Sequence, residues 1–220
     1  MASSRVRLGE MYQVLYDFFG PQHWWPGESK FEIIVGAVLA QNTSWNNVER
    51  AIVTLKEVGV LDLSKMSELP SGLLAEYIRP AGYYNLKAGR LTNLLTMINE
   101  TFDGDVEAMC SESTSSLREH LLTVKGIGPE TADSILLYGA GKPVFVVDAY
   151  TRRILLRHDF IDEEQGYYEI QELFTDNLAE DVYLFNEYHA LLVRVAKTFC
   201  KKSKPLCDQC PLENLALSFC

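Results

Sequence analysis

The chain has 220 residues, of which 47% are apolar and 23% charged, a composition typical of globular proteins with a buried core. It contains no apolar run of transmembrane length and no basic leader followed by an apolar segment, so we expect an intracellular, cytoplasmic protein without a membrane partner. The net charge of −10 argues against a nucleic-acid partner, because phosphate-binding proteins usually carry an excess of basic residues.

The N-terminal segment predicts an amphipathic helix followed by an aromatic loop. Apolar residues recur at helical spacing over residues 7–19, and Gly20-Pro21 ends the helix. Trp24, Trp25 and Pro26 follow in the loop. Two adjacent tryptophans cannot both face the same way, so they either fill the core beneath the loop or form one wall of a planar binding pocket.

Two helices are predicted next, on either side of a polar junction. Ser29-Lys30-Phe31-Glu32 has the spacing of a capping box and opens an almost uniformly apolar helix that extends through Gln41. A helix that is apolar on all sides should lie centrally. Thr43 or Ser44 then begins a helix that carries Trp45 in its first turn. By its chemistry alone, Gln41 is a helix-end amide that satisfies a loop carbonyl.

A break rich in proline and glycine precedes a longer helix. Leu73–Ile78 is predicted as a short helix, which Pro80 and Gly82 interrupt. Tyr83 then opens a helix that extends to about Phe102. A tyrosine at such a helix start often packs on its neighbours, so position alone gives Tyr83 no functional role.

A helical hairpin is predicted in the middle of the chain. Ser116-Leu117-Arg118-Glu119 is a second capping box and begins a helix over Leu117–Val124, and Thr131–Tyr138 forms the second helix. The turn Gly126-Ile127-Gly128 allows close backbone approach and presents N–H groups at a helix start, where an anion can bind. Lys125 adds positive charge beside the turn. Because a helix and not a strand precedes it, this is not the turn of a dinucleotide-binding fold.

The remainder of the chain continues in helices. The apolar run Val144–Val147 ends in Asp148, which is either a helix N-cap or a reactive carboxylate kept away from water. Helical period then covers about residues 149–158, 163–178 and 182–199. Nearly every segment has helical period, so the predicted fold class is all-α.

Four of the five cysteines lie close to the C-terminus. Cys200, Cys207, Cys210 and Cys220 are spaced C-x6-C-x2-C-x9-C. Clustered cysteines in a chain without a leader favour metal ligation over disulfides.

Leu122–Ala132 followed by Val147-Asp148 resembles the helix-hairpin-helix motif and catalytic aspartate of the endonuclease III-like DNA glycosylases. The resemblance extends from about Trp24 to Cys210. It implies double-stranded DNA with a damaged base as the partner, base excision repair as the process, and a monomer as the acting form. Asp148 would stabilise an oxocarbenium-like sugar or activate a water.

The resemblance also implies two helical lobes. One would be a six-helix lobe over about residues 22–135, with the helix-hairpin-helix motif. The other would join residues 1–21 to residues 136–220 and carry the four-cysteine cluster loop. DNA would lie across the cleft between the lobes, with Asp148 at its mouth.

DNA contacts follow from the same resemblance. Gly126, Ile127 and Gly128, with Lys125, would hold a phosphate without reading sequence. Gln41 corresponds to a glutamine that enters the duplex in place of the flipped base, and Tyr83 to an apolar wedge in the minor groove. Lys201 and Lys202 on the cysteine loop would touch phosphate. Despite the net charge, several basic residues fall where a DNA-binding face requires them: Lys87, Arg90, Lys125, Arg152, Arg153, Lys201, Lys202 and Lys204.

Glu130 departs from the family pattern. Many members carry a lysine at this position, which forms a Schiff base with the sugar and then nicks the strand. A glutamate cannot form a Schiff base, so the resemblance is to the monofunctional members, which release a base and leave the strand intact. Glu130 at the start of a helix also interacts favourably with the helix dipole.

The tryptophans are the second departure. Electron-rich indole faces attract cations, and purines alkylated on a ring nitrogen are cationic. Trp24, Trp25, Pro26 and Trp45, with Glu130, therefore resemble the substrate site of the 3-methyladenine (N-alkylpurine) DNA glycosylase branch. A core role remains the alternative for two of the three tryptophans. Lys197 on the last helix faces either the pocket or solvent.

The first two cysteine spacings match the [4Fe–4S] loop of the family, and four thiolates are the usual complement of such a cluster. The last spacing has nine intervening residues where the family has five, so Cys220 is the least certain ligand. A zinc site with four cysteines is the alternative. In either case we expect a structural role.

Two other functions remain open. A thymine or uracil mismatch glycosylase of the same fold would bind its base more by hydrogen bonds than by cationic stacking. A binder of abasic or distorted DNA would keep the hairpin and the cluster without catalysis.

Overall fold

The protein is described by a computed structural model over residues 4–215. Within this range it is built from twelve α-helices with short 3-10 and π-helical turns, and no residue of this range lies in a β-strand. The predicted all-α fold class is thus confirmed. Among these helices, none combines the length and the apolar character needed to cross a membrane.

The chain divides into two compact units, which differ by a few residues from the boundaries expected from the sequence. The continuous unit is Trp25–Lys142. Its helices are α2 (Lys30–Leu39), α3 (Trp45–Glu57), α4 (Leu63–Glu68), α5 (Ser71–Tyr77), a 3-10 turn (Arg79–Ala81), α6 (Tyr84–Phe102), α7 (Val106–Ser111), α8 (Thr114–Thr123), α9 (Pro129–Ser134) and a π-helical turn (Ile135–Gly139).

The discontinuous unit joins Met1–Trp24 to Pro143–Cys220. Its helices are α1 (Ser4–Phe19), α10 (Ala149–Arg157), α11 (Tyr167–Thr175), α12 (Val182–Thr198) and two 3-10 turns, Cys207–Gln209 and Glu213–Leu215.

Helix α2 forms the centre of the continuous unit, as its sequence predicts. Every residue from Phe31 to Leu39 except Ile33 is buried, and α3, α6, α9 and the π-helical turn pack around the helix. The Trp25 indole lies against the helix at Gly36, where a Cβ would be in van der Waals contact with the indole Nε1 at 3.4 Å. Each apolar side chain buried in this way contributes about 1.5–3 kcal/mol to folding.

Side-chain caps fix where the helices begin. The Ser29 hydroxyl accepts from the Glu32 N–H at 3.1 Å, whereas the Glu32 carboxylate accepts from the Glu28 N–H at 3.2 Å instead of closing the capping box. Ser113, and not Ser116, caps α8, since its hydroxyl accepts from the Ser116 N–H at 3.2 Å. The helix therefore begins three residues earlier than expected.

The second hairpin helix differs from the predicted Thr131–Tyr138 at both ends. It begins at Pro129 and continues into the π-helical turn, which includes Gly139. Gly141 has the left-handed φ of 63° instead. The i-to-i+5 hydrogen bond from the Ala140 N–H to the Ile135 carbonyl, 2.9 Å long, closes this wider turn.

An aromatic cluster forms the core of the discontinuous unit. Phe145 stacks on Phe174 with ring centres 3.6 Å apart, and Phe185 and Tyr188 pack edge-on against Phe145. The Tyr188 hydroxyl donates to the Leu8 carbonyl at 2.9 Å, which ties α12 to α1. This packing fixes the backbone three residues before Asp148.

Candidate functional site

Asp148 occupies the N-cap position of α10, in the discontinuous unit. Its Oδ1 accepts from the Thr151 N–H at 2.7 Å, and its Oδ2 lies 3.7 Å from Nε2 of His189 on α12. The Asp148 side chain is 13% exposed, so the carboxylate is shielded but reachable. Both alternatives from the sequence are therefore compatible: the aspartate caps a helix and keeps one oxygen available for chemistry.

The surroundings of Asp148 keep it ionised. Burial pushes the pKa of the carboxyl upward, but the interaction with His189 and the hydrogen bonds from Thr151 outweigh burial, so the pKa lies below its ordinary value. A carboxylate held charged in a mostly buried position can stabilise a developing positive charge or accept a proton from water.

Lys197 lies near the same helix start. Its Nζ is 5.9 Å from the centre of the Tyr150 ring, and the guanidinium of Arg153 is 5.1 Å from the same centre. Two cations therefore flank an aromatic ring in the first turn of the helix that Asp148 caps.

The hairpin turn is held by side chains from α6 and from the turn after α2, both in the continuous unit. Asn93 donates to the Lys125 carbonyl at 2.9 Å, and Gln41 donates to the Gly126 carbonyl at 3.1 Å. The Ile127 N–H is used within the turn, since it donates to the Val124 carbonyl at 3.0 Å. Any anion site here would therefore use the N–H groups at the start of α9, which follows the turn.

Gly126 is required by this geometry. Its φ is 98°, and a Cβ at this position would overlap the side chain of Arg90. Gly128 has φ −100°, and a Cβ there would meet nothing within 4 Å. The two glycines of the motif therefore have different roles: the first permits the fold of the turn, and the second leaves open space outside it.

Gln41 is the central residue of a polar network around the turn. In addition to Gly126, its Nε2 donates to the Thr131 hydroxyl at 2.9 Å, and its Oε1 accepts from the Arg90 guanidinium. Gln41 thus satisfies a loop carbonyl, as its chemistry alone predicts. If this side chain moves into a duplex, these hydrogen bonds within the protein must break and be replaced by others.

Tyr83 projects from the N-cap position of α6. Its φ is 47° and ψ 31°, a left-handed conformation that costs a non-glycine residue about 1–2 kcal/mol. The side chain is 69% exposed, and Leu86 one turn later is 60% exposed. A strained and exposed tyrosine beside an exposed leucine suits a wedge, and the apolar pattern of α6 gave no sign that Leu86 would be exposed.

An aromatic cavity lies in the continuous unit between α2 and α3. The Trp25 and Trp45 rings meet edge to face at 4.8 Å, and Trp25 also packs on Tyr138 at 4.9 Å. A cavity of about 290 Å³ is lined by these two tryptophans together with Pro26, Gly27, Glu28, Glu32, Gly36, Glu49, Ile52, Val53 and Lys56. Lys56 lies 3.0 Å from carboxylate oxygens of both Glu28 and Glu32. Because Glu49 also lines the cavity, negative charge predominates in its lining.

The structure thus brings Trp25, Pro26 and Trp45 together. Trp24 is half-buried and belongs to the discontinuous unit. Glu130 is in the first turn of α9, where its charge is favoured by the helix dipole, and it does not line this cavity.

Three of the four C-terminal cysteines lie in the described part of the chain, and Cys220 lies outside it. The Cys200 thiol is buried and accepts from the Arg157 guanidinium at 3.2 Å. Cys207 begins a 3-10 turn and is disulfide-bonded in this structure, where the sequence had favoured metal ligation. Cys210 follows the turn as a free thiol, and burial raises its pKa, with Cys200 close enough to contribute. Among residues 4–215, no three His, Cys, Asp or Glu side chains form a preformed metal site.

Arg157 also orders the basic loop after Cys200. It donates to the carbonyls of Lys201 at 2.9 Å and Lys202 at 3.3 Å, while both lysine side chains remain exposed. Cys110, by contrast, is buried in the continuous unit against the Gly139 carbonyl. It takes no part in the C-terminal cysteine group.

Comparison with known proteins gives consistent similarities. Residues 35–180 match the family described as "HhH-GPD superfamily base excision DNA repair protein". MJ1434 of Methanocaldococcus jannaschii, provisionally named a DNA repair glycosylase, is 48% identical over 95% of each chain. Endonuclease III of Sulfolobus acidocaldarius is 31% identical over 84% of this chain and 80% of its own.

A solved structure shows a similar fold. The 3-methyladenine DNA glycosylase MagIII of H. pylori, bound to 1,N6-ethenoadenine, has 32% identity and a TM-score of 0.74. The alignment covers 89% of this chain and 98% of MagIII.

Proposed function

Because the chain belongs to the HhH-GPD superfamily of base excision DNA repair proteins, we propose that it is a monofunctional DNA glycosylase acting on alkylated purines such as 3-methyladenine. The cavity of paired indoles and carboxylates is the observation that carries this proposal. Indole faces stack on a planar base and attract a cationic one by up to about 2 kcal/mol when desolvated. The excess negative charge of the lining favours a cation as well. The similarity to a 3-methyladenine glycosylase supports the same substrate class.

Asp148 would perform the catalytic step. Alkylation on a ring nitrogen already weakens the glycosidic bond, so the enzyme has mainly to stabilise the sugar cation and deliver water. The Asp148 carboxylate, kept ionised by Thr151 and His189, can do both. Water is the final nucleophile, and the products are the free base and an intact strand with an abasic site.

Glu130 supports hydrolysis without strand cleavage. Members that cleave the strand use a lysine amine at this position, and a carboxylate cannot form a Schiff base. The strand is therefore expected to stay intact after base release.

DNA would be held by backbone and basic groups without sequence recognition. The hairpin turn with Lys125 offers N–H groups and a positive charge to one phosphate, and Lys201 and Lys202 offer two further charges. Gln41 and Tyr83 are the side chains that we expect to enter the duplex and stabilise a flipped base. We expect one chain to act as a monomer.

The C-terminal cysteines fit an iron–sulfur cluster by their chemistry. Three cysteines and the Arg157 guanidinium lie in one loop region, and cluster sulfurs are commonly stabilised by such N–H donors. A [4Fe–4S] cluster held by Cys200, Cys207, Cys210 and Cys220 would brace the basic loop, and zinc is the alternative. Iron and acid-labile sulfide in anaerobically purified protein would support the cluster, whereas zinc alone would contradict it.

An Asp148→Asn variant tests the function most simply. The amide keeps the shape and an acceptor for the Thr151 N–H but loses the charge. We expect base release from a 3-methyladenine duplex to fall by roughly 10²–10⁴-fold, with binding to abasic DNA retained. Base release at the wild-type rate would contradict the role of Asp148, and an inactive wild type that binds abasic DNA tightly would favour the non-catalytic binder.

A further inference from the structure

Lys87 is the one lysine of the described residues that is almost completely buried, with 1% exposure. It lies in the first turn of α6, and its Nζ donates to the Leu39 carbonyl at 2.9 Å and to the Ala81 carbonyl at 2.7 Å. Leu39 ends α2, and Ala81 ends the 3-10 turn before α6. A single ammonium therefore binds the carbonyl ends of two different helical elements, where carbonyls lack partners within their own helix.

A buried position is unusual for a lysine, because its ammonium loses hydration there. Burial and the charge of Arg90 lower the pKa of Lys87 to about 8. An apolar side chain of similar volume would avoid the desolvation of an ammonium, but it would leave two buried carbonyls without a donor. What Lys87 provides beyond packing is a directional link between two backbone positions.

Each of the two carbonyls that Lys87 binds lies two residues before a side chain that we expect to enter DNA. Gln41 follows Leu39 by two residues, and Tyr83 follows Ala81 by two residues. The short backbone between each pair is itself hydrogen-bonded: the Ala40 N–H donates to Gly36 at 2.8 Å, and the Gly82 N–H donates to Arg79 at 3.2 Å. A shift at either carbonyl is therefore transmitted to the residue that follows.

We propose that Lys87 is a positioning residue that fixes Gln41 and Tyr83 relative to each other, so that both enter the duplex as one rigid pair. The proposal rests on the proposed DNA-binding function. It assigns to Lys87 no contact with DNA, because its ammonium is enclosed between the two carbonyls.

The test compares two binding constants for each variant. Dissociation constants are measured, at one fixed salt concentration, for a duplex with one abasic site and for an undamaged duplex of the same sequence. Only the abasic complex needs both inserted side chains, whereas phosphate contacts serve both duplexes. We expect Lys87→Met to reduce the preference for abasic DNA roughly tenfold, since displacements near 1 Å at a binding constellation cost up to about 100-fold. Affinity for undamaged DNA should stay unchanged.

Lys65→Met is the matched control. Lys65 also donates through Nζ to a backbone carbonyl, that of Gly59 at 3.1 Å, but it is exposed on α4. Its removal should leave the preference unchanged. The effect of Lys87→Met should also be smaller in a Gln41→Ala or Tyr83→Ala background than in the wild type, because the three residues act as one unit.

Three results would overturn the proposal. The first is a Lys87→Met protein that is less stable but keeps the full preference for abasic DNA. The second is an effect of Lys87→Met on this preference that is equally large in the Gln41→Ala background, in the Tyr83→Ala background and in the wild type. If Lys87→Met does not fold, Lys87→Gln, whose amide can donate to one carbonyl, replaces it under the same criteria. The third result is a wild-type protein without preference for abasic DNA, which would overturn the proposed function itself and the role of Lys87 with it.

Discussion

The two carboxylate oxygens of Asp148 have different partners, and this difference predicts how activity depends on pH. The Thr151 N–H donates to Oδ1, which makes Asp148 the N-cap of α10, while His189 interacts with Oδ2 and lowers the pKa of the carboxyl. In the proposed reaction Asp148 works as a carboxylate, so activity should be lost as the pH falls through its lowered pKa. The same depressed pKa contributes stability that is present at neutral pH and lost on acidification.

Replacing His189 should therefore move the acidic limb of the pH–rate profile. In His189→Leu the lowering interaction is absent and burial remains, so the pKa of Asp148 rises and activity is lost at a higher pH. The measurement is kcat/KM for base release against pH, with circular dichroism to verify folding. An acidic limb at the wild-type position in a folded variant would show that His189 does not act on Asp148.

At the residue scale, an acid that follows four apolar residues predicts a helix N-cap, and the hydrogen bond from the Thr151 N–H to Asp148 confirms it. The catalytic role of Asp148 follows from the family resemblance and stays a prediction. His189 and Asn93 could not be assigned, because each acts on a residue far away in sequence and no local pattern records the pairing. Lys87 and Arg90 were expected on a DNA-binding face, but Lys87 is buried against backbone carbonyls and Arg90 donates to Gln41. Only the folded chain brings these groups together.

At the scale of the elements, the hairpin was predictable because two glycines and a proline mark its turn. The starts of helices were less certain, since Ser113 and Ser116 are both acceptable caps and only the fold selects Ser113. Helices α4 and α7 were missed because six residues are too few to show a helical period. The π-helical turn also leaves no pattern in the sequence.

The two hairpin glycines make a matched pair of variants. Gly126→Ala places a Cβ at φ 98° against Arg90, so we expect a loss of stability of about 1–2 kcal/mol or more. Gly128→Ala meets open space at an ordinary φ, so the protein should keep its stability but bind DNA less tightly, because a methyl group then stands between backbone and phosphate.

Urea denaturation and binding to undamaged duplex separate these two effects. Equal stability loss in both variants, or unchanged DNA affinity in Gly128→Ala, would contradict the roles assigned to the turn.

At the scale of the whole molecule, the net charge of −10 is concentrated in one stretch of sequence. Between Arg157 and Arg194 there is no lysine or arginine, and the ten acidic residues there account for the whole net charge: Asp159, Asp162, Glu163, Glu164, Glu169, Glu172, Asp176, Glu180, Asp181 and Glu187. The rest of the chain is neutral overall. The net charge therefore does not exclude DNA binding, because local arrangement decides where phosphate is attracted.

This distribution predicts the salt dependence of DNA binding. Each phosphate contact contributes a slope of about −0.9 to the plot of log affinity against log salt. Lys201→Ala with Lys202→Ala should reduce the slope by about 2. Glu163→Gln with Glu164→Gln, in the acidic stretch, should leave the slope unchanged. A slope in the glutamine variant that differs from that of the wild type would show that the acidic stretch faces the DNA.

The most direct test of the central claim is base release from a duplex that contains 3-methyladenine, compared with duplexes that contain a G·T or a G·U mismatch. Strand integrity is followed in the same reactions before and after alkali. We predict free 3-methyladenine and a strand that breaks only after alkali. Release only from the mismatched duplexes, or strand breaks without alkali, would contradict the alkylpurine specificity and the monofunctional mechanism respectively.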